Sequence, residues 1–286
     1  RLNFQALNVG AREASLSATD LRALSDKTGA PLVSANLTDA ASDQLVLPPY
    51  RVVESQGRRI AVIGIVDPRS VTNTLGDGLK VRSMETTLTN LLPKIESTES
   101  PDVTILLAFT TESKMRALAK QFYELDVILG GDVPQPSQEL ILENESVILF
   151  TTNEARAVGD LKVDFINGRA VNPEFDVHLM VETIPQSPEI LALSRSYREL
   201  IRNTKLDIDD LSSANDESMI PGGGFGHNYV GSETCAACHP TATAAWKNSR
   251  HSTAFATLVR GGTDADPNCI ICHSVGFGEA SGYQRE

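Results

Sequence analysis

The chain has 286 residues, of which 41% are hydrophobic, so its length suggests two domains and its apolar content is sufficient for a buried core. The net charge of −12 argues against a nucleic acid or an anionic membrane surface as a partner. No apolar stretch approaches the roughly 20 residues that a membrane-spanning helix needs, and no signal peptide is visible at Arg1.

The first part of the chain alternates between helical and strand patterns. A helix is predicted over 19–27, where leucines have helical spacing and Gly29 follows as a stop signal. The segment 60–66 is apolar throughout, which is typical of a strand buried on both faces, and Gln56-Gly57 before it marks a hairpin. Further helices are predicted over 85–95 and 113–123, and further strands over 31–36, 51–54, 103–108 and 126–129. The alternation indicates an α/β sandwich with parallel central strands.

Three more strands are predicted at 147–151, 161–166 and 175–181, without helices between them. We expect them to form an antiparallel run that finishes the sheet, with a turn at Gly168. In the last of these strands the apolar residues share one face, so His178 points to the opposite and wetter face.

Several short motifs form the framework of this region. They read Pro31-Leu-Val-Ser-Ala-Asn36, Pro49-Tyr50-Arg-Val-Val, Arg59-Ile-Ala-Val-Ile-Gly-Ile-Val-Asp67-Pro68, Asp102-Val-Thr-Ile-Leu-Leu-Ala108 and Asp126-Val-Ile-Leu-Gly-Gly131. Through them, residues 5–170 resemble the calcineurin-like metallophosphatases of the 5′-nucleotidase type. The resemblance implies two metal ions, bound by Asp, His and Asn, that activate water and hold phosphate. It also implies that the family's first motifs precede Arg1, so we expect a fold that is incomplete at its N-terminus.

The positions that should hold the metal ions carry other residues. Gly10-Ala11-Arg12-Glu13 stands where the family has Gly-Asn-His-Glu, and Phe109 stands in the place of a ligand histidine. Asp132 and Pro134 replace the two histidines of the Gly-His-x-His motif. Asp132 alone could bind a cation, but an aromatic ring and a proline cannot. We therefore predict a catalytically inactive, structural version of this domain.

An amphipathic helix is predicted over 187–205. It is interpreted either as a connector that packs on one or both domains or as a contact between copies of the chain. The acidic, serine-containing segment 207–218 and the glycine-rich segment 221–226 then form a linker.

All four cysteines lie in two copies of a Cys-x-x-Cys-His motif. The first copy is Cys235-Ala-Ala-Cys238-His239, and the second is Cys269-Ile-Ile-Cys272-His273. This motif attaches c-type haem, because both thiols add to the vinyl groups of one porphyrin and the histidine binds the iron from the proximal side. Disulfides or a four-cysteine zinc site are the alternatives, but zinc gives no reason for a histidine after each pair. The sequence therefore predicts at least two covalently attached haems c.

Each haem needs a sixth ligand, and three histidines remain. His251 is predicted on a helix between the two motifs, and His227 follows a glycine run that could let the backbone fold over a porphyrin edge. We predict both as distal ligands, with Met219 as the alternative to His227, and we place His178 outside the set. The competing interpretations are a histidine on a helix surface for His251 and a solvated loop histidine for His227. The spacing does not assign His251 to either haem.

Further characteristic residues surround the haem motifs. They are Tyr229-Val-Gly-Ser-Glu-Thr-Cys235, Trp246, Ser249, Ala254, Phe255, Asn268, Ser274-Val-Gly-Phe277 and Ser281-Gly-Tyr283. Through them, residues 228–286 resemble the multihaem cytochrome family related to the tetrahaem cytochrome c of ammonia-oxidising bacteria. The resemblance implies electron transfer between redox partners and further motifs downstream, so the chain is either a two-haem version or one cut short.

These predictions combine into one organisation. A metallophosphatase-like α/β domain over 1–185 is followed by a connector over 186–226 and by a small, mainly helical, haem-packed cytochrome domain over 227–286. We expect electron transfer through two bis-histidine haems rather than enzymatic activity, with the α/β domain as a scaffold, docking or assembly module. Other cytochromes, other redox proteins or copies of the same chain are the expected partners.

Two other functions remain open from the sequence. One is a periplasmic metal-dependent phosphoesterase or 5′-nucleotidase with an attached redox module. The other is binding of a small ligand or nitrogen oxide at a five-coordinate haem. All three imply a periplasmic or extracellular protein, because covalent haem is attached on the outer side of the energy-transducing membrane.

Overall fold

The computed structural model describes residues 3–151, 156–166, 169–181, 183–206, 229–279 and 281–284. The chain divides into two compact units, Arg1–Ile184 and Pro185–Glu286. The predicted ligand His227, its alternative Met219, the turn at Gly168 and the linker over 207–226 lie outside the described residues.

The first unit contains twelve strands and four α-helices among its described residues. The strands are β1 (Leu7–Asn8), β2 (Leu32–Val33), β3 (Leu37–Asp39), β4 (Tyr50–Ser55), β5 (Arg58–Val66), β6 (Leu79–Val81), β7 (Val103–Phe109), β8 (Val127–Gly130), β9 (Ile141–Glu143), β10 (Ser146–Phe150), β11 (Ala157–Ile166) and β12 (Arg169–Leu179). The helices are α1 (Ala11–Ala14), α2 (Ala18–Thr28), α3 (Met84–Glu99) and α4 (Glu112–Gln121).

Local signals set the ends of these elements as predicted. The Ser17 hydroxyl caps α2 by accepting the Asp20 N–H, and Gly29 ends the helix in the left-handed conformation with φ of 63°. Gln56 and Gly57 both have positive φ, at 51° and 75°, which is the backbone of a two-residue hairpin turn between β4 and β5. The predicted hairpin and the first helix are therefore confirmed.

The main sheet has the strand order β4-β5-β7-β8-β10-β9. Its four central strands are parallel, whereas β4 and β9 run antiparallel to their neighbours at the two edges. One face packs on α3 and α4 around fully buried side chains such as Ile63, Leu88, Leu106, Met115 and Ile128. This is the mixed α/β architecture that the alternating pattern predicted.

The expected antiparallel run after β8 is wrong in two respects. The predicted strand over 147–151 is β10, which pairs in parallel with β8, and the short strand β9 occupies the edge beside it. The strands β11 and β12 pair with each other in a separate two-stranded antiparallel ribbon, whose apolar side chains, such as Leu161 and Phe175, face the main sheet. A cavity of about 880 Å³ lies between this ribbon and the sheet, with apolar walls that include Ile105, Leu129 and Phe175.

The second unit is helical. Its helices are α5 (Pro188–Thr204), α6 (Ser232–Cys238), α7 (Pro240–Lys247), α8 (Ala254–Gly261) and α9 (Pro267–His273). A small core joins Leu258, Ile270 and Phe277, and the Phe255 and Tyr283 rings pack beside it with centroids 4.9 Å apart. The amphipathic helix predicted over 187–205 is α5, and the Ser187 hydroxyl caps it. None of the helices in the described part of the chain is long and apolar enough to cross a membrane.

Candidate haem sites

The first cysteine pair lies at the end of a short helix. Cys235 and Cys238 are three residues apart on α6, so both thiols project from the same face of the helix. Both residues are exposed. His239 follows the last helical residue, and its backbone N–H donates to the Cys235 carbonyl at 2.9 Å. Pro240 then begins α7, where the backbone N–H that proline lacks would have no partner within the helix. The motif thus presents two thiols and an exposed imidazole within two turns of backbone.

The second motif lies entirely on α9. The Asp266 carboxylate caps this helix by accepting the Asn268 N–H at 3.0 Å, and Pro267 occupies its first position. Cys272 is exposed and Cys269 is half-buried. Burial raises the pKa of the Cys269 thiol, and the negative charge of Asp266 raises it further. As in the first motif, a spacing of three residues places both thiols on one face.

The imidazole of His273 is held by the backbone of α8. Its Nδ1 lies 3.0 Å from the Ala254 carbonyl oxygen and 3.4 Å from the Thr257 hydroxyl. Because a carbonyl only accepts, Nδ1 must carry the proton, which leaves the lone pair of the neutral ring on Nε2. A hydrogen bond of this kind fixes the tautomer and orientation of histidines that bind metals. His273 is therefore prepared to bind iron through Nε2.

The apolar surface of the second unit also fits a bound porphyrin. Besides Pro267, the buried apolar side chains among the described residues of this unit are only Ile201, Leu258, Ile270 and Phe277, which is little for a segment of this length. Meanwhile Val259 and Val275 are 55% and 69% exposed. Covalently attached porphyrins would supply the apolar surface that the polypeptide lacks, so the donor set and its surroundings fit haem c.

The remaining histidines lie in different surroundings. His251 is exposed, and it belongs to a 3₁₀ turn over Arg250–Thr253 rather than to an α-helix. Its carbonyl accepts the Ala254 N–H, which places it one turn before the carbonyl that holds His273. His178 is exposed on β12, with Nε2 3.7 Å from an Asp176 carboxylate oxygen, in the first unit. His251 thus lies between the two motifs, on a turn that contacts both α7 and α8, whereas His178 belongs to the first unit.

In the first unit the positions that were predicted to correspond to metal ligands lie close together, but the residues there do not form a set of metal ligands. The Phe109 ring lies between two glycines. A Cβ atom added to Gly10 would lie 3.7 Å from the ring, and one added to Gly131 would lie 3.5 Å from it. The Glu13 carboxylate accepts the Gly10 N–H at 3.0 Å, and Asp132 accepts the Ser70 hydroxyl at 2.6 Å. Within the described residues there is no group of three or more His, Cys, Asp or Glu side chains that could hold a metal ion. The residues present do not fit a two-metal site.

A buried carboxylate at the same sheet edge has a structural role that the sequence analysis did not foresee. Asp67, at the end of β5, accepts hydrogen bonds from the Thr110 hydroxyl at 2.7 Å and from the Arg69 N–H at 2.9 Å. Both of its oxygens are thereby occupied. The Asp-Pro sequence that follows the strand was the available signal, since it is typical of a helix start.

Comparisons with known proteins agree with both units. Residues 234–286 match the family of cytochrome c554 and c-prime, and both cysteine pairs lie within the match. The N-terminal part has the metallophosphatase fold. Its similar structures include the sulfate thiohydrolase SoxB of Thermus thermophilus in complex with glycerol, with a TM-score of 0.61, 18% identity, and coverage of 68% of this chain and 36% of that one.

Two 5′-nucleotidases show the same fold. The 5′-nucleotidase precursor of Thermus thermophilus aligns with a TM-score of 0.59 and 20% identity over 70% of this chain and 44% of that one. The 5′-nucleotidase of Candida albicans aligns with a TM-score of 0.54 and 15% identity over 72% and 43%. The chain thus spans less than half the length of these proteins. No curated protein matches it significantly in sequence.

Proposed function

We propose that this protein transfers electrons through two covalently bound haems, one at Cys235, Cys238 and His239 and one at Cys269, Cys272 and His273. The observation that carries the proposal is the hydrogen bond from His273 Nδ1 to the Ala254 carbonyl, which leaves the lone pair on Nε2 of the residue that follows the Cys269 and Cys272 pair. A bound haem supplies a one-electron couple. The match to the cytochrome c554 and c-prime family supports the same function.

We assign the distal positions to His251 and His227, which makes both irons six-coordinate and suits them to electron transfer rather than to ligand binding. His251 lies between the two motifs along the chain, and its side chain is exposed.

The α/β unit acts in this proposal as a scaffold or docking module for other redox proteins or for further copies of the chain. Its metal-ligand positions hold Arg12, Phe109 and Pro134, so we do not assign it phosphoesterase activity. We also propose a periplasmic or extracellular location, because covalent haem is attached on the outer side of the energy-transducing membrane.

A haem count tests the proposal. We expect a pyridine haemochrome assay of the full chain, produced with a c-type haem maturation system, to give two haems for each chain. The paired variants C235A/C238A and C269A/C272A should each retain one. Failure of the wild-type chain to bind haem under conditions that load a known c-type cytochrome would overturn the proposal.

The axial ligands are tested by adding carbon monoxide to the dithionite-reduced protein. Two six-coordinate haems should give no spectral response, and His251→Ala should make one haem responsive because its iron loses a ligand. His178→Ala is the matched control, since His178 is an exposed histidine in the other unit. A response in the wild type would favour a five-coordinate, ligand-binding haem, and no response in His251→Ala would exclude that residue as a ligand.

A further inference from the structure

The helix α5 is part of the haem-bearing unit, although it lies before the segment that matches the cytochrome family. Arg198, Ile201 and Arg202 form its contact face, since positions i, i+3 and i+4 lie on one side of a helix. Ile201 is only 6% exposed. The Arg198 Nη1 donates to the Gly261 carbonyl at 3.0 Å, and Arg202 pairs with the Asp264 carboxylate at 2.8 Å.

Both arginines therefore hold the turn between α8 and α9. Gly261 is the last residue of α8, and Gly262 closes that helix in the left-handed conformation with φ of 67°. The helix on one side of this turn orients the imidazole of His273, and the helix on the other side carries Cys269 and Cys272. A change in the turn is thus transmitted to both attachments of the second haem.

The two arginines differ in charge compensation. The charge of Arg202 is balanced by Asp264, whereas Arg198 donates to a neutral carbonyl and has no carboxylate within ion-pair distance among the described residues. The charge of Arg198 lies at the turn that joins the two helices of the second haem site, because its Nη1 donates to the carbonyl of Gly261 at the end of α8.

We propose that Arg198 is a positioning residue for the haem attached at Cys269 and Cys272 and that its uncompensated positive charge raises the reduction potential of that haem. The inference rests on the proposed function. On reduction, Fe(III) gains one electron and the site loses one unit of positive charge. A fixed cation nearby disfavours the more positive, oxidised form and so makes reduction easier. The second haem therefore has a higher reduction potential than it would have without Arg198.

The test is a redox titration of the fully loaded, full-length protein and of three variants. Arg198→Gln removes the charge and keeps a donor, and Arg198→Lys keeps the charge. Arg195→Gln removes a cation from the exposed side of the same helix, where Arg195 has no hydrogen bond or ion pair with a described residue. Haem content is measured for each protein, so that loss of haem is distinguished from a shift in potential.

In Arg198→Gln we expect one of the two redox transitions to move to a lower potential by roughly 30 to 60 mV. At a fixed solution potential, this shift corresponds to roughly a three- to tenfold increase in the ratio of Fe(III) to Fe(II) at that haem. The other transition should stay in place, and Arg198→Lys should restore the first. Equal shifts in Arg195→Gln and Arg198→Gln, or no shift in a fully loaded Arg198→Gln, would overturn the inference. A wild-type chain without haem would instead refute the proposed function itself.

Discussion

Replacing Phe109 by alanine tests whether the former metal-ligand position has become a packing position. The ring is half-buried, contacts the hydrophobic core around α1 and α2, and lies between Gly10 and Gly131. Glycines have no side chains that could move into the space left by the ring, so a cavity should remain. A fully buried Phe→Ala change costs about 3–5 kcal/mol, and partial exposure reduces the expected loss to roughly 2–3 kcal/mol.

Thermal unfolding of the first unit, followed by circular dichroism, measures this loss. For a unit of this size we expect the midpoint to fall by roughly 5–10 °C. Tyr123→Ala is the control, because Tyr123 is an aromatic residue of the same unit that is 79% exposed and should change stability by less than about 0.5 kcal/mol. The reasoning is refuted if Phe109→Ala is as stable as Tyr123→Ala, or if Phe109→His alone confers metal-dependent phosphoesterase activity.

Two further predictions concern the same unit. Gly64→Ala should lower the free energy of unfolding of this unit by more than about 3 kcal/mol, because the new Cβ would lie 2.3 Å from the Val33 carbonyl oxygen. Chemical denaturation measures this loss. A smaller loss would show that β2 and β5 can separate easily. Burial raises the pKa of Asp126 to about 6, so the folded state keeps a proton that the unfolded chain loses near pH 4. Stability should therefore fall as the pH rises from about 4 to 6, and Asp126→Asn should be more stable than the wild type at pH 7 by roughly 1–2 kcal/mol. Denaturation curves of both proteins at pH 4 and pH 7 check this, and an equal difference at the two values would contradict it.

The parts of the fold that could be predicted are those that depend on local chemistry. Ser17 and Gly29 mark the ends of a helix because a hydroxyl caps the first turn and a glycine tolerates positive φ at the last. Gln56-Gly57 likewise determines a hairpin without reference to the rest of the chain. The parallel pairing of β10 and the separate ribbon were mispredicted because tertiary packing decides which strands pair, and no local pattern records it.

The candidate site shows the same division. The cysteine pairs and their adjacent histidines are a contiguous motif, so the chemistry could be predicted directly. The partner of His273 is a backbone carbonyl nineteen residues earlier, and every residue carries such a carbonyl. The role of Arg198 was also hidden, because its contact with Gly261 spans 63 residues and depends on how α5 packs.

The two units differ in how they hold potential metal ligands, and this difference supports the proposed haem function of the second unit. In the first unit the ligand positions still converge, but Phe109 fills the space and the nearby carboxylates of Glu13, Asp67 and Asp132 already accept protein hydrogen bonds. In the second unit an imidazole is oriented by a backbone carbonyl, with its free nitrogen left for a partner outside the polypeptide. Ordering a side chain costs conformational entropy, which a bound iron would offset. We therefore expect selection for haem binding to act on the second unit, while the first unit is constrained by packing and by the surface that it offers to partners.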